Sequence, residues 1–118
     1  MGIELKRVYE TPSSSDGYRI LVDRIWPRGL SKADARLDDW LKAFAPSDHL
    51  RKWFHSNRSQ WGDFRKRYLA ELKEQREDLR PLADLAKKRR VTLLYSSTDM
   101  ERNNAVVLRE YLRRLGAG

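Results

Sequence analysis

A chain of 118 residues with no cysteine has no disulfide, no thiolate nucleophile and no thiolate metal site. Its two histidines would need carboxylates to complete a zinc site, so we expect no metal. A hydrophobic content of 40% predicts a folded core large enough for one domain, residues 1–118. No apolar run is long enough to span a membrane and no signal-peptide segment opens the chain, which predicts a cytoplasmic protein without a membrane partner.

Two strands are predicted in the first quarter of the chain. Residues 3–9 alternate apolar and charged side chains, as strands do. The loop at 10–17 is rich in turn-forming residues, and its length allows either an antiparallel hairpin or a parallel pair. The stretch 18–29 opens with an apolar run at 20–22, which is typical of a buried strand, and Pro27 ends that strand.

Helical spacing dominates the middle of the chain. Ser31 and Ser47 are suitable N-caps, and each predicts a helix that begins at the following residue. Apolar residues at positions i, i+3, i+4 and i+7 predict an amphipathic helix over 37–44. Similar spacing predicts a long helix that starts near Ser59 and another over 78–88.

The last part of the chain has the clearest strand pattern, at 91–95, followed by a helix that begins at Asn103 or Asn104 and stops at Gly116. Strands near both ends of the chain are separated by helices. The order predicts an α/β fold: a single compact domain with a small, mainly parallel three-stranded sheet flanked by helices.

Polar side chains follow two of the predicted strands at the point where each strand ends. Because parallel strands end at the same edge of a sheet, we expect these side chains to meet beside the N-terminus of the last helix. Arginine binds phosphate or carboxylate with two parallel hydrogen bonds. The sequence therefore predicts a site that binds, or binds and processes, a small anionic ligand, with the candidate residues Asp23, Arg24, Trp26, Arg28, Ser96, Asp99, Asn103 and Asn104.

Structural explanations for the same residues stay open. Asp23 and Arg24 are also suited to an ion pair that holds a loop, with Trp26 as an ordinary core residue. The polar residues at 96–99 are also what helix capping requires, and His55 is interpreted as a structural histidine. The sequence leaves open the reaction, the ligand, the cofactor, the oligomeric state and whether the protein is an enzyme.

Nucleic acid is the alternative partner, because the formal net charge is +8 and aromatic residues lie among the basic ones. Acidic residues interrupt this basic surface, so we prefer the small anionic ligand. The basic surface comprises Arg51, Lys52, Arg58, Arg65, Lys66 and the run at 87–90.

Three motifs occur in order along the chain: Gly-Tyr-Arg-Ile-Leu-Val-Asp-Arg-Ile-Trp-Pro-Arg-Gly at 17–29, Leu-Asp-Asp-Trp-Leu at 37–41, and Val-Thr-Leu-Leu-Tyr-Ser at 91–96. With these motifs the chain resembles the YeaO-like family of bacterial proteins, a domain of unknown function. The resemblance covers nearly the whole chain and implies a compact cytoplasmic α/β domain, but no established activity. A more distant branch carries Cys-His-Arg where this chain has Asn103-Asn104-Ala105, which implies that thiolate chemistry is not inherited here.

Overall fold

The structure, a computed structural model, describes residues 2–117 and contains four strands and five α-helices in that range. The strands are β1 (Gly2–Arg7), β2 (Tyr18–Leu21), β3 (Asp39–Trp40) and β4 (Arg90–Tyr95). The helices are α1 (Lys32–Ala35), α2 (Asp48–Ser56), α3 (Trp61–Glu74), α4 (Arg76–Lys88) and α5 (Asn104–Arg114).

The four strands form one parallel sheet in the order β1-β4-β2-β3. Strand β4 lies between β1 and β2, so the first two strands of the chain do not pair with each other. The α/β class and the parallel arrangement are confirmed. The predicted number of three strands is wrong, because β3 adds a fourth strand at one edge.

The segment 37–44 is where the secondary-structure prediction fails. In place of an amphipathic helix, the chain forms β3 followed by a short 3-10 turn, Lys42–Phe44. Its apolar residues pack against two separate hydrophobic clusters, one on each face of the sheet. Leu37 and Trp40 contact the smaller cluster, and Leu41 contacts the main core. A helix would keep all of them on one face, and the packing on both sides of the sheet outweighs the local helical spacing.

Side-chain oxygens cap the helices that follow the predicted N-cap residues. The Ser31 hydroxyl accepts a hydrogen bond from the Asp34 backbone N–H, and the Ser47 hydroxyl accepts one from Leu50. These contacts satisfy backbone donors that have no partner within a helix. Both N-cap predictions are confirmed. None of the helices within residues 2–117 is long and apolar enough to cross a membrane.

The main hydrophobic core lies on one face of the sheet, under helices α2 to α5. Alternate residues of the strands point to this face, among them Ile20 and Leu93, and both are almost fully buried. The helices contribute buried residues that include Phe64, Tyr68 and Leu108. Burial of each such aliphatic or phenyl side chain stabilises the fold by about 1.5–3 kcal/mol.

The opposite face of the sheet is covered by loop residues instead of long helices. Leu21 and Leu94 point to this face and form a small cluster with Val8. Trp26 of the segment between β2 and β3 and Trp40 of β3 close over them, and their rings meet edge to face with centroids 5.2 Å apart. This second cluster fixes the path of the chain after β2.

A buried ion cluster precedes β2 on the same face. The carboxylate of Asp16 is only 7% exposed and accepts hydrogen bonds from Arg19 Nη1 at 2.6 Å and from Lys6 Nζ at 3.1 Å. Burial acts to raise the pKa of Asp16, but the Ser13 backbone N–H and these two cations outweigh it and lower the pKa below its ordinary value. The charged form of Asp16 is therefore favoured by folding.

Replacing Asp16 should destabilise the protein strongly. Asp16→Ala leaves the buried Arg19 guanidinium without its counter-ion, and we expect the free energy of unfolding to fall by about 3 kcal/mol in urea titrations near pH 7. Because the native pKa is depressed, the carboxylate contributes fully above the ordinary carboxyl pKa, and this contribution is lost as pH falls through the native value. The exposed Asp34→Ala is the control; equal losses in both variants would contradict this role.

Candidate functional site

The carboxyl ends of β2 and β4 meet at one edge of the sheet. Their parallel register pairs Leu21 with Leu94, so that Asp23 reaches Ser96. One carboxylate oxygen of Asp23 accepts hydrogen bonds from the Ser96 backbone N–H at 2.9 Å and from its hydroxyl at 2.7 Å. The other accepts from Asn104 Nδ2 at 3.0 Å, which also donates to the Val22 carbonyl. A single carboxylate thus joins β2, β4 and the start of α5.

The loop that leads into α5 is held by its own polar side chains. Asn103 caps the helix, since its Oδ1 accepts from the Val106 backbone N–H at 3.1 Å. Asp99 Oδ1 accepts from the backbone N–H groups of Arg102 and Glu101, and these bonds lower the pKa of the Asp99 carboxyl. Helix capping therefore accounts for the side chain of Asn103, and hydrogen bonds within the loop account for that of Asp99.

A cavity of about 270 Å³ opens at this edge of the sheet, between the loop after β2, the helix α2 and the loop before α5. We call it the edge cavity. Its lining includes five of the eight residues that the sequence predicted as a site: Asp23, Arg24, Ser96, Asn103 and Asn104.

Trp26, Arg28 and Asp99 are not part of that lining. The Trp26 indole lies in the second cluster and donates from Nε1 to the Leu30 carbonyl at 2.7 Å, so it is a core residue and not a wall for a ligand. Arg28 is exposed, and its carbonyl accepts a hydrogen bond from the Tyr9 hydroxyl. The turn at Pro27 and the packing of Trp26 direct both residues away from the edge cavity.

Helix α2 supplies basic residues that the site prediction missed. Arg51, His55 and Arg58 line the edge cavity together with Arg102 from the loop before α5. Arg51 and His55 lie four residues apart on one face of α2, whereas Arg58 lies two residues after the end of that helix. The spacing of Arg51 and His55 is the signal that the sequence offers for this face, although the sequence pattern predicts a nucleic-acid surface for Arg51 and Arg58 and a structural role for His55.

The arginines of the edge cavity differ in their partners. Arg51 donates from Nη2 to the Asp48 carboxylate at 2.5 Å, and hydrogen bonds from Arg51 and Lys52 lower the pKa of Asp48 to about 2. Arg24 donates from Nε to the Pro46 carbonyl at 3.1 Å. Within residues 2–117, no carboxylate lies within 4 Å of the guanidinium nitrogens of Arg24, Arg58 or Arg102.

Asp23 is the only acidic residue in the lining, and its oxygens already accept hydrogen bonds from Ser96 and Asn104. The alternative that Asp23 forms an ion pair with Arg24 is wrong, because no such pair lies within 4 Å in the described part of the chain. Asp23 does hold a loop, but through neutral donors. The lining of the edge cavity therefore holds more cationic side chains than carboxylates, and the charge of Asp99, which acts on Arg58 and Arg102 from outside the lining, offsets part of this excess.

Aromatic residues form the inner side of the edge cavity. Phe54 and Phe64 both line it, and their rings stack with centroids 4.2 Å apart. Next to them Tyr68 is buried and donates from its hydroxyl to the Phe44 carbonyl at 2.5 Å. Burial, with the charges of Asp23 and Glu71, raises the pKa of Tyr68 well above its ordinary value, so the phenol stays protonated. No group of three acidic or histidine side chains within residues 2–117 is placed to hold a metal ion.

Fold and cavity together define a small parallel α/β domain with a basic cavity at the carboxyl edge of its sheet. The family model described as "Inactive DUF488-N3 subclade" matches residues 2–116. The chain belongs to this subclade.

Similar proteins come from several bacteria. The chain is 50% identical over 115 residues to "Uncharacterized protein YeaO" of Escherichia coli. The aligned region covers 98% of this chain and 100% of that protein. It is 39% identical over 113 residues to "Uncharacterized protein Rv3073c" of Mycobacterium tuberculosis, and the aligned region covers 93% of this chain and 92% of that protein. The identity and the coverage are the same for "Uncharacterized protein Mb3100c" of Mycobacterium bovis. The resemblance to the YeaO-like family is confirmed. No solved structure matches significantly.

The hydrogen bonds of Asp23 should be a main source of stability at this edge. Asp23→Ala removes all three, and we expect the free energy of unfolding to fall by about 2 kcal/mol, against about 1 kcal/mol for Asn104→Ala. The double variant should lose less than the sum, because the two residues share one network. Urea titrations measure all three values.

Asp63→Ala is the control for this series, since Asp63 is exposed in the first turn of α3 and should change stability by no more than about 0.5 kcal/mol. Strict additivity of Asp23→Ala and Asn104→Ala would contradict a shared network.

Proposed function

We propose that the protein binds a small anionic molecule, with a phosphate or carboxylate group, in the edge cavity. The observation that carries this proposal is the set of three arginines, Arg24, Arg58 and Arg102, which line one cavity without a carboxylate partner within residues 2–117. Guanidinium groups suit phosphate and carboxylate because they donate two parallel hydrogen bonds. An anion in the edge cavity would give these arginines a counter-ion in direct contact.

The residues of the edge cavity favour binding over catalysis. Asp23 is occupied by three hydrogen bonds, and Asn103 and Asn104 do not titrate near neutral pH. His55 lines the cavity, but no hydrogen bond within residues 2–117 orients its imidazole, as a general base requires. The word "Inactive" in the description of the subclade agrees with a binding role.

Nucleic acid remains the alternative partner, with weaker support. Arg65 is paired with Glu110, and Lys52 with Asp48. The basic run at 87–90 lies at the amino end of β4, whereas Arg51 and Arg58 lie at the edge cavity. The six residues of β4 separate these groups by about 20 Å. The basic residues therefore do not form one continuous strip.

Thermal unfolding with inorganic phosphate at constant ionic strength tests the proposed function. Ligand at about one hundred times its Kd should add about 2.7 kcal/mol of stability, which is several degrees in Tm. The double variant Arg58→Ala/Arg102→Ala should lose most of this stabilisation, because it removes two of the unpaired arginines from the edge cavity.

The matched control is Arg28→Ala/Arg113→Ala, which removes the same charge from two exposed arginines outside the edge cavity. This control should respond to phosphate as the unaltered protein does. The proposal is contradicted if phosphate leaves the Tm unchanged, or if both double variants lose the same part of the stabilisation.

Fluorescence anisotropy with labelled duplex and single-stranded DNA tests the alternative. If binding is only the attraction of a net charge of +8, it should disappear between about 50 and 200 mM salt and should weaken equally in the two double variants. Binding that persists at the higher salt concentration, and that Arg58→Ala/Arg102→Ala selectively removes, would favour nucleic acid over a small anion.

A further inference from the structure

The edge cavity has an apolar part as well as a basic part. Ile25, Pro46, Phe54 and Phe64 contribute apolar side chains to the same lining as the arginines. Pro46, Phe54 and Phe64 are buried in the protein, so Ile25 is the apolar side chain of the lining that an inorganic ion would leave in contact with water. A ligand that also covers it would gain the free energy of apolar burial.

We infer that the natural ligand is an aromatic anion, in which one phosphate or carboxylate group is attached to a small aromatic ring. This inference rests on the proposed function and adds the chemical class of the ligand. The two parts of the lining then have separate partners. The anionic group accepts hydrogen bonds from guanidinium N–H groups, and the ring contacts the apolar side chains and the flat face of the Arg58 guanidinium.

The volume of the edge cavity limits the size of the ring system. At about 270 Å³ it lies just below the range of roughly 300–1,000 Å³ that is typical for drug-sized ligands. This volume exceeds what a single phosphate or carboxylate group fills. It is also too small for a dinucleotide. A single ring with one anionic group is the class that fits both limits.

The planar groups around the edge cavity favour an aromatic over an aliphatic body. Phe54 and Phe64 already stack with an angle of 22° between their planes, and the Arg58 guanidinium lies 5.3 Å from the centre of the Phe54 ring. Arginine stacks on aromatic faces as readily as it binds carboxylates. Arg58 is exposed at the edge cavity with Phe54 on one side of its guanidinium, so a ligand ring placed on the other side would extend this stack.

Ile25 gives a further reason to expect an apolar group in the edge cavity. It lines the cavity and yet is 56% exposed. Met100, on the loop before α5, is 62% exposed but does not line the cavity. The two residues therefore form a matched pair: a ring bound in the edge cavity covers part of Ile25 and leaves Met100 unchanged.

Isothermal titration calorimetry with three phosphate monoesters of equal charge tests this inference. Phenyl phosphate should bind at least about tenfold more tightly than methyl phosphate, because its ring covers apolar lining. Phenyl phosphate should also bind more tightly than cyclohexyl phosphate, because only the aromatic ring stacks on guanidinium groups. In Ile25→Ser the ratio of the phenyl to the methyl affinity should fall by about threefold, and in Met100→Ser it should not change.

The outcomes separate this inference from the proposed function. If neither a monoester nor the corresponding carboxylates, acetate and benzoate, bind, the proposed function fails and the inference fails with it. If methyl and phenyl phosphate bind equally, the proposed function stands and the aromatic ligand is overturned. Equal affinities for phenyl and cyclohexyl phosphate overturn the aromatic part, and equal ratios in Ile25→Ser and Met100→Ser overturn the placement of the ring in the edge cavity.

Discussion

The parallel pairing of β2 with β4 is the constraint on which the arrangement of polar residues depends. It places two strand ends side by side and brings Asp23 to Ser96. The same carboxylate then holds Asn104 at the start of α5. Because one residue joins two strands and a helix, the loops after β2 and before α5 have fixed positions, and the edge cavity opens between them and α2.

The charged groups of this protein fall into two classes with different physical roles. Asp16, Arg19 and Lys6 form a buried cluster in which the acid has cationic partners, as a buried charge requires. Arg58 and Arg102 remain partly hydrated and have no carboxylate partner within residues 2–117. The first class stabilises the fold, and the second is available to a ligand.

Two amide side chains hold the start of α5 in place. Asn103 and Asn104 serve the structure directly, the first as the cap of α5 and the second as a donor to Asp23. Both tasks need the amide group, and neither needs a proton to move. Side chains that line the edge cavity, among them Asn103 and Asn104, thus also stabilise the fold.

Local patterns in the sequence determined the N-caps at Ser31 and Ser47, the apolar strand residues and the polar groups that follow β2 and β4, because these depend on neighbouring residues only. Tertiary structure decided the rest. The segment 37–44 became a strand and a turn because its apolar side chains pack on both faces of the sheet. Likewise, Trp26 packs against the second cluster, and Arg51 and His55 of α2 line the edge cavity. Contacts between distant segments set both outcomes, and their free energy exceeds local propensity.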